Sequence, residues 1–80
     1  MLQALYSIRK EPMIEKGIYR HYKGNLYELV DVVNHSETLE KMVLYRALYG
    51  EKELWVRPIS MWDEEVEVNG KKVKRFEYAE

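Results

Sequence analysis

Apolar and aromatic residues recur along most of this chain in runs of strand length, broken by short polar or glycine-bearing stretches. Residues 18–22 form a short aromatic-rich run, and Lys23-Gly24-Asn25 after it is a turn signal. Residues 26–33 are dense in Leu, Val and Tyr, as a strand requires, but Asp31 interrupts the alternation. That interruption predicts either a bulge near Asp31 or a strand largely covered on both faces. A polar connection at residues 34–37 leads to a third strand at 42–49, and Gly50 to Glu53 to a fourth at 54–59. Pro58 cannot donate to a ladder, so this fourth strand ends there or lies at an edge. Residues 60–64 are too few for a strand and suit a single helical turn.

The last stretch can be read by register. Asn69-Gly70 tolerates the positive φ angles of a type I′ turn, and a two-residue loop fixes the pairing around it. Val68 then faces Lys71, Glu67 faces Lys72, Val66 faces Val73, Glu65 faces Lys74 and Glu64 faces Arg75. One face carries Val against Val, and the other carries Glu–Lys pairs of ~0.2–1 kcal/mol each. Phe76 and Tyr78 fall on the charged face of that hairpin, which predicts a bulge or a second packing surface near Arg75.

Residues 1–16 have a different texture. Leu2, Leu5 and Ile8, with Ala4, recur at helical spacing, and Pro12 would stop such a helix. The expectation is a short helix over residues 2–10, with a disordered tail, or an apolar stripe joining copies of the chain, as alternatives. After residue 17 no helical period returns. The chain therefore divides into an N-terminal helix or tail, 1–16, and a mainly β domain, 17–80. The predicted architecture is a small antiparallel SH3-like barrel, or a strongly bent sheet of five or six strands.

Composition narrows the function classes. Eighty residues make one domain. The formal net charge of −1 removes the usual electrostatic argument for nucleic acid. There is no cysteine, hence no disulfide, thiolate nucleophile or zinc–thiolate site. That suits a reducing, cytoplasmic setting. No run approaches the ~20 apolar residues of a membrane span, and the N-terminus does not read as a signal peptide.

Four blocks carry a family resemblance: GIYRHYKG at 17–24, HSETLE at 35–40, VLYRALYG at 43–50 and LWVRP at 54–58. On these the chain resembles the small bacterial family called domain of unknown function 1653, over residues 17–80. The resemblance implies a shared fold and brings no activity with it.

The candidate chemistry centres on two arginines. With Gly50 to Glu53 as a four-residue loop, Tyr49 faces Leu54, Leu48 faces Trp55 and Arg46 faces Arg57. Two guanidiniums opposed across a ladder repel each other and call for an anion. Glu28, Asp31, Glu37 or Glu40 could supply it internally, and such ion pairs are commoner than ligand sites. The functional alternative is a bound phosphate, carboxylate or acidic peptide, with Trp55 as a stacking surface. His21 and His35 have no metal-binding spacing, and the commoner role for such histidines is a hydrogen bond to backbone. Neither Gly-rich nucleotide motif occurs, and no G-x-S-x-G elbow accompanies Ser36.

Tyr and Trp are too abundant for a small core to bury fully, so they either wall the barrel with their polar tips wet or form an exposed aromatic groove that docks a peptide. The function expected from these features is a binding module for a peptide, protein or small anionic ligand, without a cofactor. Arg46, Arg57, Trp55, His21, His35, Tyr22 and Glu37 are its candidate residues. The rivals are an enzyme acting on a nucleotide-like substrate with a histidine base, and a ligand-free accessory or oligomerisation unit.

Overall fold

The computed structural model describes residues 14–80. The helix expected over residues 2–10, and most of the segment expected to join copies of the chain, lie outside the described residues. Seven strands and one short helix follow in order. They are β1 (Gly17–His21), β2 (Leu26–Asn34), β3 (Lys41–Ala47), β4 (Leu54–Pro58), α1 (Ile59–Trp62), β5 (Glu65–Val68), β6 (Lys71–Lys74) and β7 (Phe76–Tyr78). The strands form an antiparallel five-stranded sheet in the order β4-β3-β2-β1-β7 and a separate β5-β6 hairpin.

The hairpin follows its expected register from Glu65 opposite Lys74 to Val68 opposite Lys71. Asn69 and Gly70 take the positive φ angles, 52° and 81°, that this turn demands. Glu64 and Arg75 extend the pairing by a backbone bond of 3.0 Å and a 2.6 Å ion pair. One detail differs. Lys74 sends its ammonium to Asp63 at 3.0 Å rather than to the facing Glu65, because α1 ends beside it. Past Arg75 the chain leaves the hairpin, and β7 joins β1 in the larger sheet. This is the second packing surface that Phe76 and Tyr78 required.

The pattern break at Asp31 is a bulge. Leu29 pairs with Tyr45 and Asp31 with Leu44, so Val30 is the extra residue. The sheet does not close into a barrel, since β4 and β7 are both edges. It is nonetheless strongly curled. In a flat sheet β4 and β7 would stand about 19 Å apart, four spacings of ~4.8 Å. Here the Arg57 guanidinium of β4 lies 5.5 Å from the ring centre of Phe76 in β7.

The core fills the inside of this curl. Tyr19, Leu29, Val43, Tyr45, Trp62 and Phe76 are buried together. Trp62 stacks on Phe76 with centroids 3.7 Å apart and planes 3° from parallel, and Tyr19 and Tyr45 meet its ring edge-on. Such aromatic contacts add to the apolar area already removed from water. The four residues of α1 have no polar cap, so this burial of Trp62 is what holds the turn in place. Ile14 packs against the same cluster and the Glu15 carbonyl accepts a 2.6 Å bond from the Tyr19 hydroxyl. The last residues before β1 therefore belong to the folded unit.

Candidate functional site

The β3–β4 register decides where the candidate residues go. Arg46 faces Leu54, not Arg57, and Arg57 faces Val43. The expected pairing is thus displaced by three residues. The cause lies in the connection. Gly50 and Lys52 both take left-handed φ angles, Lys52 N–H bonds back to the Tyr49 carbonyl, and Ala47 N–H donates to Glu53. The loop therefore spans 48–53 instead of 50–53. An odd displacement moves every side chain of one strand to the other face. Arg46 and Arg57 consequently lie on opposite faces of the sheet, and the repulsion expected between them does not arise.

Their partners differ as well. Arg46 donates from Nη1 to the Lys52 carbonyl at 3.0 Å and so clasps the loop that set the register. The ion pairs among the described residues are Lys16–Asp31, Lys74–Asp63 and Arg75–Glu64. Neither candidate arginine is in them, so the internal carboxylate expected from Glu28, Asp31, Glu37 or Glu40 is not found. Arg57 is half-buried on the core-facing side, with its guanidinium over Phe76. Trp55 projects from the same face of β4 two positions earlier and is 53% exposed.

Around Arg57 the aromatic residues form a continuous surface. His21 meets Phe76 edge-on at 4.9 Å and Tyr22 at 4.6 Å, and Tyr22 in turn lies 5.9 Å from the Arg75 guanidinium. Tyr27 contacts Phe76, Tyr45 and Tyr49 edge-on, and its hydroxyl shares a 2.6 Å hydrogen bond with that of Tyr49. Burial, with the Tyr49 bond in support, pushes the Tyr27 phenol up to about 12, against the opposing influence of Arg57. Burial also holds the His21 imidazole below its ordinary value, helped by Arg75, Arg57 and Lys23. The surface is therefore one of neutral rings and cations.

Both histidines have backbone roles. His21 Nδ1 accepts from Lys23 N–H at 3.1 Å in the β1–β2 turn. His35 Nδ1 accepts from Glu37 and Thr38 N–H groups at 3.1 and 3.3 Å and organises the β2–β3 loop. With Nδ1 accepting, each neutral ring carries its proton on Nε2. Thr38 bonds Glu40 N–H, as a turn residue does. The structure thus gathers His21, Tyr22 and Arg57 around Phe76, with Trp55 on the Arg57 face. It leaves Arg46 on the other face and His35 and Glu37 in a separate loop. Tyr27 and Tyr49 belong to this surface, the buried Phe76 lies beneath it, and none of the three is among the candidate residues read from the sequence. Only the curl of the sheet brings them there, and their aromatic character was the one signal available.

Among the described residues no group of three His, Asp or Glu side chains is placed to hold a metal ion, and no helix is long and apolar enough to cross a membrane.

Comparison with known proteins agrees with this geometry. No curated protein matches the chain. A solved structure similar to it is the crystal structure of a protein belonging to DUF1653 from Bordetella bronchiseptica. It is 32% identical, covers 82% of this chain and 87% of its own, and superposes with a TM-score of 0.77. The family described as "Protein of unknown function (DUF1653)" matches residues 17–78, from the first residue of β1 to the last of β7. The curled sheet, its hairpin and the arginine-bearing edge all lie inside that match, and the chain belongs to this family.

Proposed function

We propose that the domain is a binding module for a small anionic group, a phosphate or carboxylate carried by a ligand or peptide, held at Arg57. The observation that carries this reading is that guanidinium. It is half-buried, has no carboxylate partner among the described residues, and lies over Phe76 with its central carbon 5.5 Å from the ring centre. A cation held over a ring by its charge keeps its N–H donors, and those of Arg57 go to no carboxylate among the described residues, so a two-pronged bond to an oxyanion is open to it. Trp55 offers an adjoining exposed ring, and the paired hydroxyls of Tyr27 and Tyr49 add polar atoms on the same aromatic surface. The charged groups that act on His21 are all cationic, which favours an anion there and makes the imidazole a poor base. No observation favours a hydrolytic or transfer reaction.

The test is an NMR titration of the labelled protein with inorganic phosphate and with an acidic peptide. The expected result is saturable shifts at His21, Tyr49, Trp55 and Arg57, lost in Arg57→Gln and kept in Arg46→Gln. Absence of saturable shifts with both probes, in a folded sample, overturns the proposal.

A further inference from the structure

The edge strand β4 is largely apolar, and among the described residues no strand pairs with its outer side. Leu54, Trp55 and Val56 are 48%, 53% and 55% exposed, and they lie inside the family match. Protein edges are ordinarily protected by charge, by shortness or by a covering segment, since their free N–H and C=O groups recruit further strands. β4 is five residues long, with Arg57 and Pro58 at its end, but its first three residues, Leu54-Trp55-Val56, carry no charge.

The hydrogen-bond phase of this edge follows from one bond. Ala47 N–H donates to Glu53 O, so residues 47 and 53 form a hydrogen-bonded pair. The pairs then alternate, and residues 55 and 57 also turn their backbone groups toward β3. Leu54, Val56 and Pro58 turn theirs outward, where no backbone group among the described residues meets them.

We infer that β4 pairs antiparallel with β4 of a second copy of this chain, about a two-fold axis at Val56. The strand sequence is complementary to itself in that register. Val56 exchanges both backbone bonds with Val56 of the other protomer. Leu54 N–H donates to the Pro58 carbonyl across the axis, which needs no N–H from proline. Trp55 falls opposite Arg57 in the non-hydrogen-bonded position, where Cα atoms approach to about 4.5 Å and side chains are closest. The pair is a cation–π contact made twice by symmetry. An ordinary extended peptide would meet the same backbone groups but has no reason to supply Trp and Arg at this spacing. Two five-stranded sheets become one sheet of ten strands, and each exposed side chain of the edge gains a cross-strand neighbour. The paired segment is short beside the ~1,600 Å² of a standard interface, so the dimer is concentration-dependent. This inference does not rest on the anion site, since the backbone pairing about Val56 uses neither the Arg57 guanidinium nor the Trp55 ring.

Sedimentation velocity of the full chain from micromolar to millimolar concentration tests it. The expected result is a monomer–dimer equilibrium in the wild type, weakened at least about tenfold in Val56→Lys by like charges facing across the axis. Val56→Glu is weakened likewise, and an equimolar mixture of the two variants regains association, since Lys then faces Glu. Circular dichroism shows whether each variant keeps its fold, which the exposure of Val56 predicts. A wild type that stays monomeric throughout overturns the inference. So does a dimer that Val56→Lys and Val56→Glu leave intact, or one that their mixture does not restore, because the contact then lies elsewhere. Capture of an added extended peptide by a chain that does not self-associate assigns the edge to peptides and overturns it as well.

Discussion

The two faces of the sheet treat the same residue type in opposite ways. On the outer face Arg46 is spent on structure, its guanidinium bonded to the carbonyl of the loop that sets its own strand's register. On the inner face Arg57 lies on an aromatic ring with no carboxylate among the described residues. Both are half-buried, so exposure does not separate them. The partners do. Arg46, whose donor goes to backbone, is part of the scaffold, while Arg57, over a ring and without a carboxylate among the described residues, is the arginine proposed to take a second molecule. The difference teaches that charge and burial alone do not mark a binding arginine. What lies against the guanidinium does.

The comparison breaks most severely at the floor of the inner face. Trp62→Ala removes the ring that stacks on Phe76 and anchors α1, at a cost of about 3–5 kcal/mol. Urea unfolding should show the loss as a lower midpoint. Trp62→Phe should cost far less, because the indole N–H is buried with no hydrogen-bond partner among the described residues. If both variants lost equal stability, stacking would not be what holds the turn.

The arginines themselves give the next largest effect. Arg46→Gln should lower stability by ~0.5–1.5 kcal/mol through loss of the loop carbonyl bond. Arg57→Gln should change stability by under ~0.5 kcal/mol and abolish the anion-induced shifts. Equal stability losses would return Arg57 to a structural role.

Two titrations probe the inner face more gently. The Tyr27 phenol is raised from the ordinary 10.0 to about 12. Its contribution to stability is present below pH 10 and lost as pH rises through about 12, because the unfolded chain ionises first. Burial also raises the Tyr19 phenol, so ultraviolet titration should show more than one tyrosine ionising late, and Tyr27→Phe should remove the component near 12. The smallest effect belongs to His21, whose folded value lies below the ordinary 6.5. Here the unfolded chain takes the proton first. Stability should fall as pH drops through 6.5 and level off below the folded value. His21→Gln should flatten that segment of the pH profile, and an imidazole midpoint above 6.5 by NMR would contradict the cationic surroundings.

Much of the local architecture was legible in the residues. The strand runs, the bulge near Asp31, the helical turn before the hairpin and the change of sheet at Arg75 each followed from a local signal. The candidate site was legible only in part. Arg57, Trp55, His21 and Tyr22 were named, but Arg46 was paired with Arg57 through a loop whose length could not be read from composition. Gly50 announces a turn in the sequence, whereas Lys52 gives no sign of its left-handed backbone. A lysine there is chosen by the loop's own hydrogen bonds, and those form only when β3 and β4 meet.

The contrast between the two hairpins states what each level determined. By itself the sequence determined the β5–β6 register, because Asn69-Gly70 permits one short turn and a two-residue loop leaves one alignment. It determined the strands too, through runs of β-favouring residues, and the family, through four residue blocks. Tertiary structure alone decided the β3–β4 register, and with it the face each arginine occupies. It alone decided the curl that carries Phe76 from one edge of the sheet to Arg57 on the other. The register rests on bonds within residues 46–53 that close only as β3 and β4 pair, and the curl rests on contacts between residues distant in the chain, whose free energy exists only once the core around Trp62 has assembled.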